Sequence, residues 1–300
     1  MKLVRFSNPK TKSYGIVQKD KIVCLPTLAK MLKQPVPSTL EEMISQDIKE
    51  NYIEYLLSNA TKTDLTRATI PSNAVKLLAP IARPPKIICL GLNYKDHAEE
   101  QGKTPPDEPI IFIKPHTSII GPDEEIIKPN FVKQLDYEAE LAIVVSRKAK
   151  NVSTYEASSY IFGYTIFNDI SARDIQFKDK QWTRGKSFDT FAPTGPCITT
   201  NNQLQDPANL QIRTWVNKKP KQNSTTRYMV FNVFEILYHL SQIMTLEPCD
   251  IIATGTPAGV GFAVKPRPQF LQNGDVVEIE IEGIGVLRNR IVDDKPRRDG

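Results

Sequence analysis

Three acidic residues alternate with other residues in the stretch DYEAELAIVV: Asp136, Glu138 and Glu140. On a β-strand successive side chains point to opposite faces, so these carboxylates share one face. Tyr137, Ala139, Leu141, Ile143 and Val145 then share the other. At a rise of about 3.3 Å per residue, the Cβ atoms of Glu138 and Glu140 would lie roughly 6.5–7 Å apart. Carboxylates held at that spacing repel each other, and two remedies are open. The acidic face can point into water, as on a half-exposed strand. Alternatively a divalent cation can sit between them, and all-oxygen ligation favours Mg2+, or else Mn2+ or Ca2+, over zinc. Asp169, at the end of the apolar run GYTIFND, offers a third carboxylate where a strand ends. Asp174 directly follows Arg173 and better suits an ion pair or a turn cap.

Two further groups could carry chemistry. His97 and Glu100 are three residues apart in GLNYKDHAEEQGK, a spacing that puts them on one face of a short helix. A carboxylate beside an imidazole orients the ring and stabilises its protonated form, the usual build of a general base; the same spacing is also met in surface ion pairs. Arg184 and Lys186 lie between aromatics and glycine in QWTRGKSFDTFAPTGP, where a lysine could neutralise a bound carboxylate or enolate or could simply be solvated. His116 and His239 have no such partner and read as structural. The turn ATGTPAGVG, residues 253–261, lacks the GK[ST] ending of a phosphate-binding loop, so a nucleotide site is not expected there. Thr254 or Thr256 could donate to a substrate oxygen.

The elements that must position these residues are mostly strands. Residues 1–79 read as a small mixed unit: strands at KLVRFS, SYGIVQ and KIVCLP, a turn at KDK, and then a helix. Ser38-Thr39-Leu40-Glu41 has the form of a capping box, and Leu40, Ile44, Ile48, Tyr52 and Leu56 recur every four residues along one face. Nothing in this unit looks catalytic; it is expected to support the rest. The segment IPSNAVKLLAPIARPPK reads as a linker because its prolines break helices, and a domain boundary is expected near residue 80. Residues 80–300 then present short strands at KIICLG, PIIFIK, YEAELAIVV, IFGYTIFND, PCITT, LQIRTWVN, DIIATG and DVVEIEIE. Asn273-Gly274-Asp275 supplies the turn before the last of these, in which Val277, Ile279 and Ile281 alternate with Glu278, Glu280 and Glu282. Helical pattern is concentrated at residues 230–244. Many strands with few helices imply a β-rich sandwich or barrel rather than a doubly wound sheet. The tail DDKPRRDG is expected to be solvated and frayed.

Composition narrows the function. In 300 residues, 39 Lys and Arg against 34 Asp and Glu give a net charge of +5, too mild and too dispersed to imply nucleic acid. Only three histidines exist, so a three-histidine zinc site would need all of them. Cys24, Cys89, Cys197 and Cys249 share no CxxC spacing and sit among aliphatics, as buried reduced thiols do. No apolar run approaches the ~20 residues that span a bilayer. The opening MKLVRFSNPK is no secretory signal and no arginine-rich presequence is visible, so a cytoplasmic protein is expected unless a presequence has been removed.

The motifs GLNYKDHAEE, PIIFIKP, LDYEAELAIVV, FNDISARDIQ, QWTRGKSFDTFAPTGP, VNKKPKQNSTTRYMVFNV and DIIATGTPAGVGF occur in an order that resembles the fumarylacetoacetate hydrolase family over about residues 80–292. The resemblance implies an α+β, β-rich fold, a mixed β-sandwich roll with a small N-terminal α/β unit. It implies a Mg2+-dependent enzyme, usually a homodimer and often mitochondrial, acting on small 2-oxo acids through a metal-stabilised enolate. Oxaloacetate keto–enol tautomerisation is the favoured activity, with acylpyruvate C–C hydrolysis or oxaloacetate decarboxylation as the alternative. By motif position it implies Glu138, Glu140 and Asp169 as metal ligands, and His97, Glu100 and Lys186 as catalytic groups, the first two on a lid helix that orders over substrate. Arg173, Gln176 and Thr256 take substrate-side positions. The loop VKPRPQFLQNGD departs from the family pattern and would reshape the pocket entrance.

Overall fold

The structure is a computed structural model describing residues 1–9, 11–178, 181–204 and 206–294. Of the tail expected to fray, residues 295–300 lie outside the described residues. Strands β1 (Lys2–Asn8), β2 (Thr11–Gln18) and β3 (Lys21–Cys24) form a meander, with Lys19 at φ 59° in the β2–β3 turn. Helices α1 (Leu25–Met31), α2 (Leu40–Ser45), α3 (Glu50–Ser58) and α4 (Lys62–Ala68) follow. The periodicity from Leu40 to Leu56 is thus shared by two helices, not one, because Asp47 takes a left-handed φ of 52° between them. The cap also shifts by one residue. Thr39 Oγ1 accepts the Glu42 N–H at 3.1 Å, and Glu42 rather than Glu41 reaches back to the Ser38 N–H at 3.0 Å. Glu41 is instead drawn to the Ala82 N–H at 2.8 Å, a tertiary contact invisible to local spacing.

The proline-rich segment is more than a connection. It contributes β4 (Thr69–Pro71), paired with β3, and β5 (Lys76–Leu78), paired with β1. Beyond it come β6 (Ile87–Gly91), α5 (Lys95–Glu100), β7 (Ile110–Lys114), β8 (Ile119–Ile120), β9 (Glu125–Lys128), β10 (Leu135–Asp136), β11 (Ala139–Val145), β12 (Ile161–Asn168) and β13 (Ser171–Ala172). Two single-turn helices, α6 (Arg173–Gln176) and α7 (Thr183–Lys186), precede β14 (Ala192–Thr200), β15 (Gln211–Val216) and β16 (Lys219–Thr225). Helix α8 (Val233–Ile243), β17 (Ile251–Ala253), β18 (Val276–Ile281) and β19 (Gly285–Asp293) complete the chain.

The fold is α+β and strand-rich, as expected. A 12-stranded mixed sheet runs β4-β3-β2-β1-β14-β12-β11-β17-β6-β7, with β5 on β1 and β8 on β14; a five-stranded sheet runs β16-β15-β18-β19-β9. The β1–β14 pairing carries the large sheet across residue 80. Strand β11 shows how the layers stack. Leu141, Ile143 and Val145 join the core against the five-stranded sheet, with Ile212, Val277, Ile279, Ile281, Leu287 and Ile291. Ala142 and Val144 join a second core under the N-terminal helices, with Leu25, Leu28, Leu40, Met43, Ile53 and Leu56. Every residue of β11 is therefore buried, on both faces. The four cysteines are free and buried. Among the described residues no helix is long and apolar enough to cross a membrane.

Helix α8 carries an apolar face, Val233, Ile236, Leu237 and Leu240, into the core. It begins with a reciprocal cap: Asn232 Oδ1 accepts the Phe234 and Glu235 N–H groups at 2.9 and 3.2 Å, and Glu235 returns to the Asn232 N–H at 2.8 Å. Asn232→Ala should cost about 1 kcal/mol. Urea titration is expected to show a lower midpoint at unchanged slope.

Candidate active site and metal centre

The centre of the molecule is built where β12 ends beside the start of β11. Their antiparallel register sets Ala139 opposite Asn168 and Glu140 opposite Phe167. Glu138 falls in the gap between β10 and β11 rather than within a continuous strand. Its backbone is pinned there: its N–H donates to Asn168 Oδ1 at 3.1 Å, and its carbonyl accepts the Asp169 N–H at 2.9 Å. Glu138, Glu140 and Asp169 each offer an oxygen within 4.8 Å of the others. Glu140 and Asp169 are 0% exposed and Glu138 6%, so the open alternative of a solvated acidic face is overturned. Strand β11 is covered on both sides, and water does not reach it.

Three cations answer these acids. Lys186 Nζ lies 2.8 Å from Glu138 Oε2 and 2.7 Å from Asp169 Oδ2. Lys114 Nζ lies 2.5 Å from Asp169 Oδ1 and donates to the Ile170 carbonyl. Arg173 pairs with Glu138 Oε1 at 2.7 Å through Nη2 and with Asp136 Oδ2 at 2.9 Å through Nε. Asp136 is not part of that trio and accepts the Gly261 and Phe262 N–H groups at 2.7 and 3.1 Å. Among the described residues four buried carboxylates thus face three buried cations, one positive charge short of balance.

That deficit falls on Glu140. Its Oε2 accepts the Gly255 N–H at 2.8 Å, but its Oε1 is buried with no partner. Burial, then repulsion from Asp169 and Glu138, pushes its carboxyl well above the ordinary range. Burial acts on Glu138 in the same sense, but Lys186 and Arg173 outweigh it and hold that group at about 2. Lys186 keeps its proton: burial favours the neutral amine, and Asp169 and Glu138 more than reverse that. An orphaned carboxylate oxygen beside two further carboxylates, in a pocket short of positive charge, fits a hard divalent cation. These three residues form a divalent metal site.

A roof faces this floor. Helix α5 carries His97 and Glu100, with His97 Nδ1 2.6 Å from Glu100 Oε1. The helix is tied down by Asp96 Oδ2, which accepts from Ser224 Oγ at 2.7 Å, and by Asn93, whose amide donates to the Thr254 and Phe231 carbonyls at 2.7 and 3.0 Å. His97 is 5% exposed and meets Phe262 edge-on at 6.4 Å; the guanidinium of Arg173 lies 4.4 Å from the same Phe262 ring.

The glycine-rich turn joins roof and floor. Its N–H groups donate to three different acids: Gly255 to Glu140, Gly259 to Glu100 at 3.0 Å, and Gly261 to Asp136. Gly255 and Gly259 hold φ values of 93° and 102°, which side-chain-bearing residues rarely adopt. Of the two threonines expected to donate here, Thr256 lines the cavity, whereas Thr254 Oγ1 is spent on the Leu141 carbonyl at 2.8 Å.

Between roof and floor lies a cavity of about 120 Å³. Of the expected site residues, His97, Glu138, Lys186, Arg173, Gln176 and Thr256 line it, while Glu100, Glu140 and Asp169 stand directly behind. No residue of the departing loop 264–275 lines it, contrary to the expectation that this loop shapes the entrance. His116 pairs with Arg83 and His239 packs on Phe231 and Tyr238, away from the cavity. Arg184 is exposed. Lys114 went unnoticed in the sequence; its signal was a lone cation ending the apolar strand PIIFIK. Gln222 gave no local signal, yet it links the site's parts. Its Oε1 accepts the Ala139 N–H at 3.1 Å, and its Nε2 donates to Thr256 Oγ1 at 2.8 Å.

Comparison with known proteins agrees with this geometry. The family described as fumarylacetoacetate (FAA) hydrolase C-terminal matches residues 86–292. The chain is 46% identical over 224 residues to the mitochondrial oxaloacetate tautomerase Fahd2a of Rattus norvegicus, covering 74% of this chain and 71% of that one. A fumarylacetoacetate hydrolase structure from Exiguobacterium antarcticum superposes with a TM-score of 0.83 at 36% identity, covering 98% and 100% of the two chains. A maleylpyruvate hydrolase from Sphingobium sp. SYK-6, in complex with manganese(II) and pyruvate, superposes at 0.79 with 28% identity and the same coverage.

The charge arrangement fixes how cation binding responds to pH. Because the Glu140 carboxyl is raised, a cation must displace a proton there, and binding strengthens as pH rises. Saturating Mg2+ or Mn2+, at about a hundred times Kd, should add about 2.7 kcal/mol to stability. The accompanying Tm shift should grow as pH rises. Glu140→Gln should abolish the shift, and the metal-free variant should be at least as stable as the parent near neutrality. A shift independent of pH would contradict the assignment.

Proposed function

The chain belongs to the fumarylacetoacetate hydrolase family, and on that premise we propose that it is a Mg2+-dependent keto–enol tautomerase of oxaloacetate. It is a metal-dependent enzyme of that family, acting on a small molecule. The observation that carries the finer reading is the placement of an oriented imidazole and a buried carboxylate trio on opposite walls of one small cavity.

Glu138, Glu140 and Asp169 would hold a divalent cation, which when bound would supply Lewis-acid polarisation to the keto oxygen of a 2-oxo acid. The chain's own residues do the rest. With a cation added to the buried cluster, its net charge becomes positive, which suits an anionic substrate. Lys186, an ammonium in the cavity wall, faces the negative charge that develops on the C2 oxygen. Gln176 Oε1 accepts from Arg173 at 2.9 Å, so the Gln176 amide nitrogen is the group turned to a substrate carboxylate. Thr256 Oγ1 accepts from Gln222, leaving its own proton for a substrate oxygen. Glu100 accepts the Nδ1 proton of His97, so Nε2 is the ring's acceptor. Nε2 takes a proton from C3 and returns it to the C2 oxygen, converting keto to enol; the reverse order runs the reaction back.

The likeness to a maleylpyruvate hydrolase favours one second reading, C–C hydrolysis of an acylpyruvate in the same cavity. Decarboxylation of oxaloacetate would draw on the same groups. In the proposed reading the molecule works as a homodimer in mitochondria or cytoplasm. Residues 1–79 support a catalytic unit of residues 80–300.

The test is the ultraviolet decay of enol-oxaloacetate with and without Mg2+. The parent enzyme should accelerate it, and Glu138→Ala should return it to the background rate. His97→Ala should lower kcat by about 10²–10⁴ while keeping the cation-dependent Tm shift. Equal rates for parent and Glu138→Ala would reject the proposal.

A further inference from the structure

The acceptor nitrogen of His97 does not face open solvent. Gln101 Nε2 lies 2.8 Å from His97 Nε2. The two residues are four apart, on one side of helix α5 and its cap. The direction of this bond follows from its neighbours. Glu100 is an acceptor at Nδ1, so Nδ1 carries the ring proton and Nε2 a lone pair. Lys103 Nζ, which can only donate, lies 2.9 Å from Gln101 Oε1 and fixes which end of the amide faces the ring. Lys103 is brought back over the cavity by the helix end: Gly102, at φ 64°, donates to the Glu99 carbonyl and Lys103 to the Ala98 carbonyl at 2.9 Å each. A continuous line of donors therefore runs from Lys103 through Gln101 and His97 to Glu100. Gln101 and Lys103 both line the cavity.

We propose that Gln101 is a positioning residue that decides which reaction this cavity performs, by occupying on His97 Nε2 the place a hydrolytic water needs. The inference rests on the tautomerase reading above. Hydrolysis of acetylpyruvate requires a water that hydrogen-bonds to Nε2 before reaction. Nε2 takes its proton, the hydroxide adds to the C4 carbonyl, and the C3–C4 bond breaks to give acetate and, after C3 is protonated, pyruvate. Tautomerisation requires no such water. A substrate C3–H meets Nε2 directly, and the Gln101 side chain yields one neutral hydrogen bond to let it in. A water, by contrast, must compete for Nε2 with an amide already tethered beside it. Phe262, edge-on to the imidazole, and Phe177 against Phe262 at 5.6 Å add an apolar wall on the cavity side.

The test compares the parent with Gln101→Ala, which removes the amide and opens room for water, and Gln101→Met, which removes the amide but keeps the volume. Enol-oxaloacetate decay and acetylpyruvate cleavage are measured with Mg2+ on each. Gln101→Ala should raise the ratio of hydrolysis to tautomerisation about tenfold, the weight of one neutral hydrogen bond, and Gln101→Met, which loses the same bond but still fills the space, should raise it by less. A 15N spectrum of histidine-labelled, metal-free protein gives a readout independent of turnover, and with three histidines in the chain it is resolvable. The His97 Nε2 signal should move in both variants, while those of His116 and His239 stay. Parallel loss of both activities, an unchanged ratio in Gln101→Ala, or an unmoved Nε2 signal would overturn the proposal. A parent inert towards both substrates would reject the tautomerase reading and this partition with it; a moved Nε2 signal would then separate that failure from an error in the geometry.

Discussion

Everything at the centre of this molecule answers to one constraint: among the described residues, four carboxylates are buried beside only three cations. A buried charge without a partner is among the costliest features a fold can carry. Here the deficit is concentrated on Glu140, whose second oxygen has no protein partner, instead of being spread over all four acids. Lys186 and Lys114 converge on Asp169, Lys186 and Arg173 on Glu138, and Arg173 on Asp136. The residual charge defines both the position and the sign of the ion that completes the site.

The fold distributes this load through backbone as much as through side chains. Register between β11 and β12 brings Glu138, Glu140 and Asp169 together. The glycine-rich turn then spends three amides on three acids, one in the floor, one in the roof dyad and one in the Arg173 anchor. A shift of this turn would therefore disturb metal ligation, imidazole orientation and guanidinium placement together. Coupling of that kind suits a cavity whose walls must stay in fixed relation.

Much of this was legible along the chain. The alternation in DYEAELAIVV, the carboxylate ending GYTIFND and the three-residue step from His97 to Glu100 are local patterns, and the structure keeps each of them close in space. The strand runs and the 233–243 helix were readable for the same reason: period and capping are short-range properties. Where local reasoning failed, a distant partner had intervened. Glu41 left its expected cap for Ala82, and Asp47 divided one apolar periodicity into two helices. Lys114, Gln222 and Gln101 drew no attention because a single polar residue in a sequence says nothing about what it will meet.

The sequence by itself determined the chemical inventory: carboxylates at alternating positions, a histidine with an acid one turn on, few histidines otherwise, and apolar strands enough to bury them. Motif order likewise pointed to the family. Only the tertiary structure decided whether the acidic face would be wet or dry. A strand whose two faces pack against two different cores leaves its acids no water, and that cannot be read from the strand alone. It also decided which cation meets which anion, and that the turn serves through its amides as well as through the Thr256 hydroxyl. Pairing of charges and direction of hydrogen bonds depend on distance, and distance between remote residues exists only once the chain has folded.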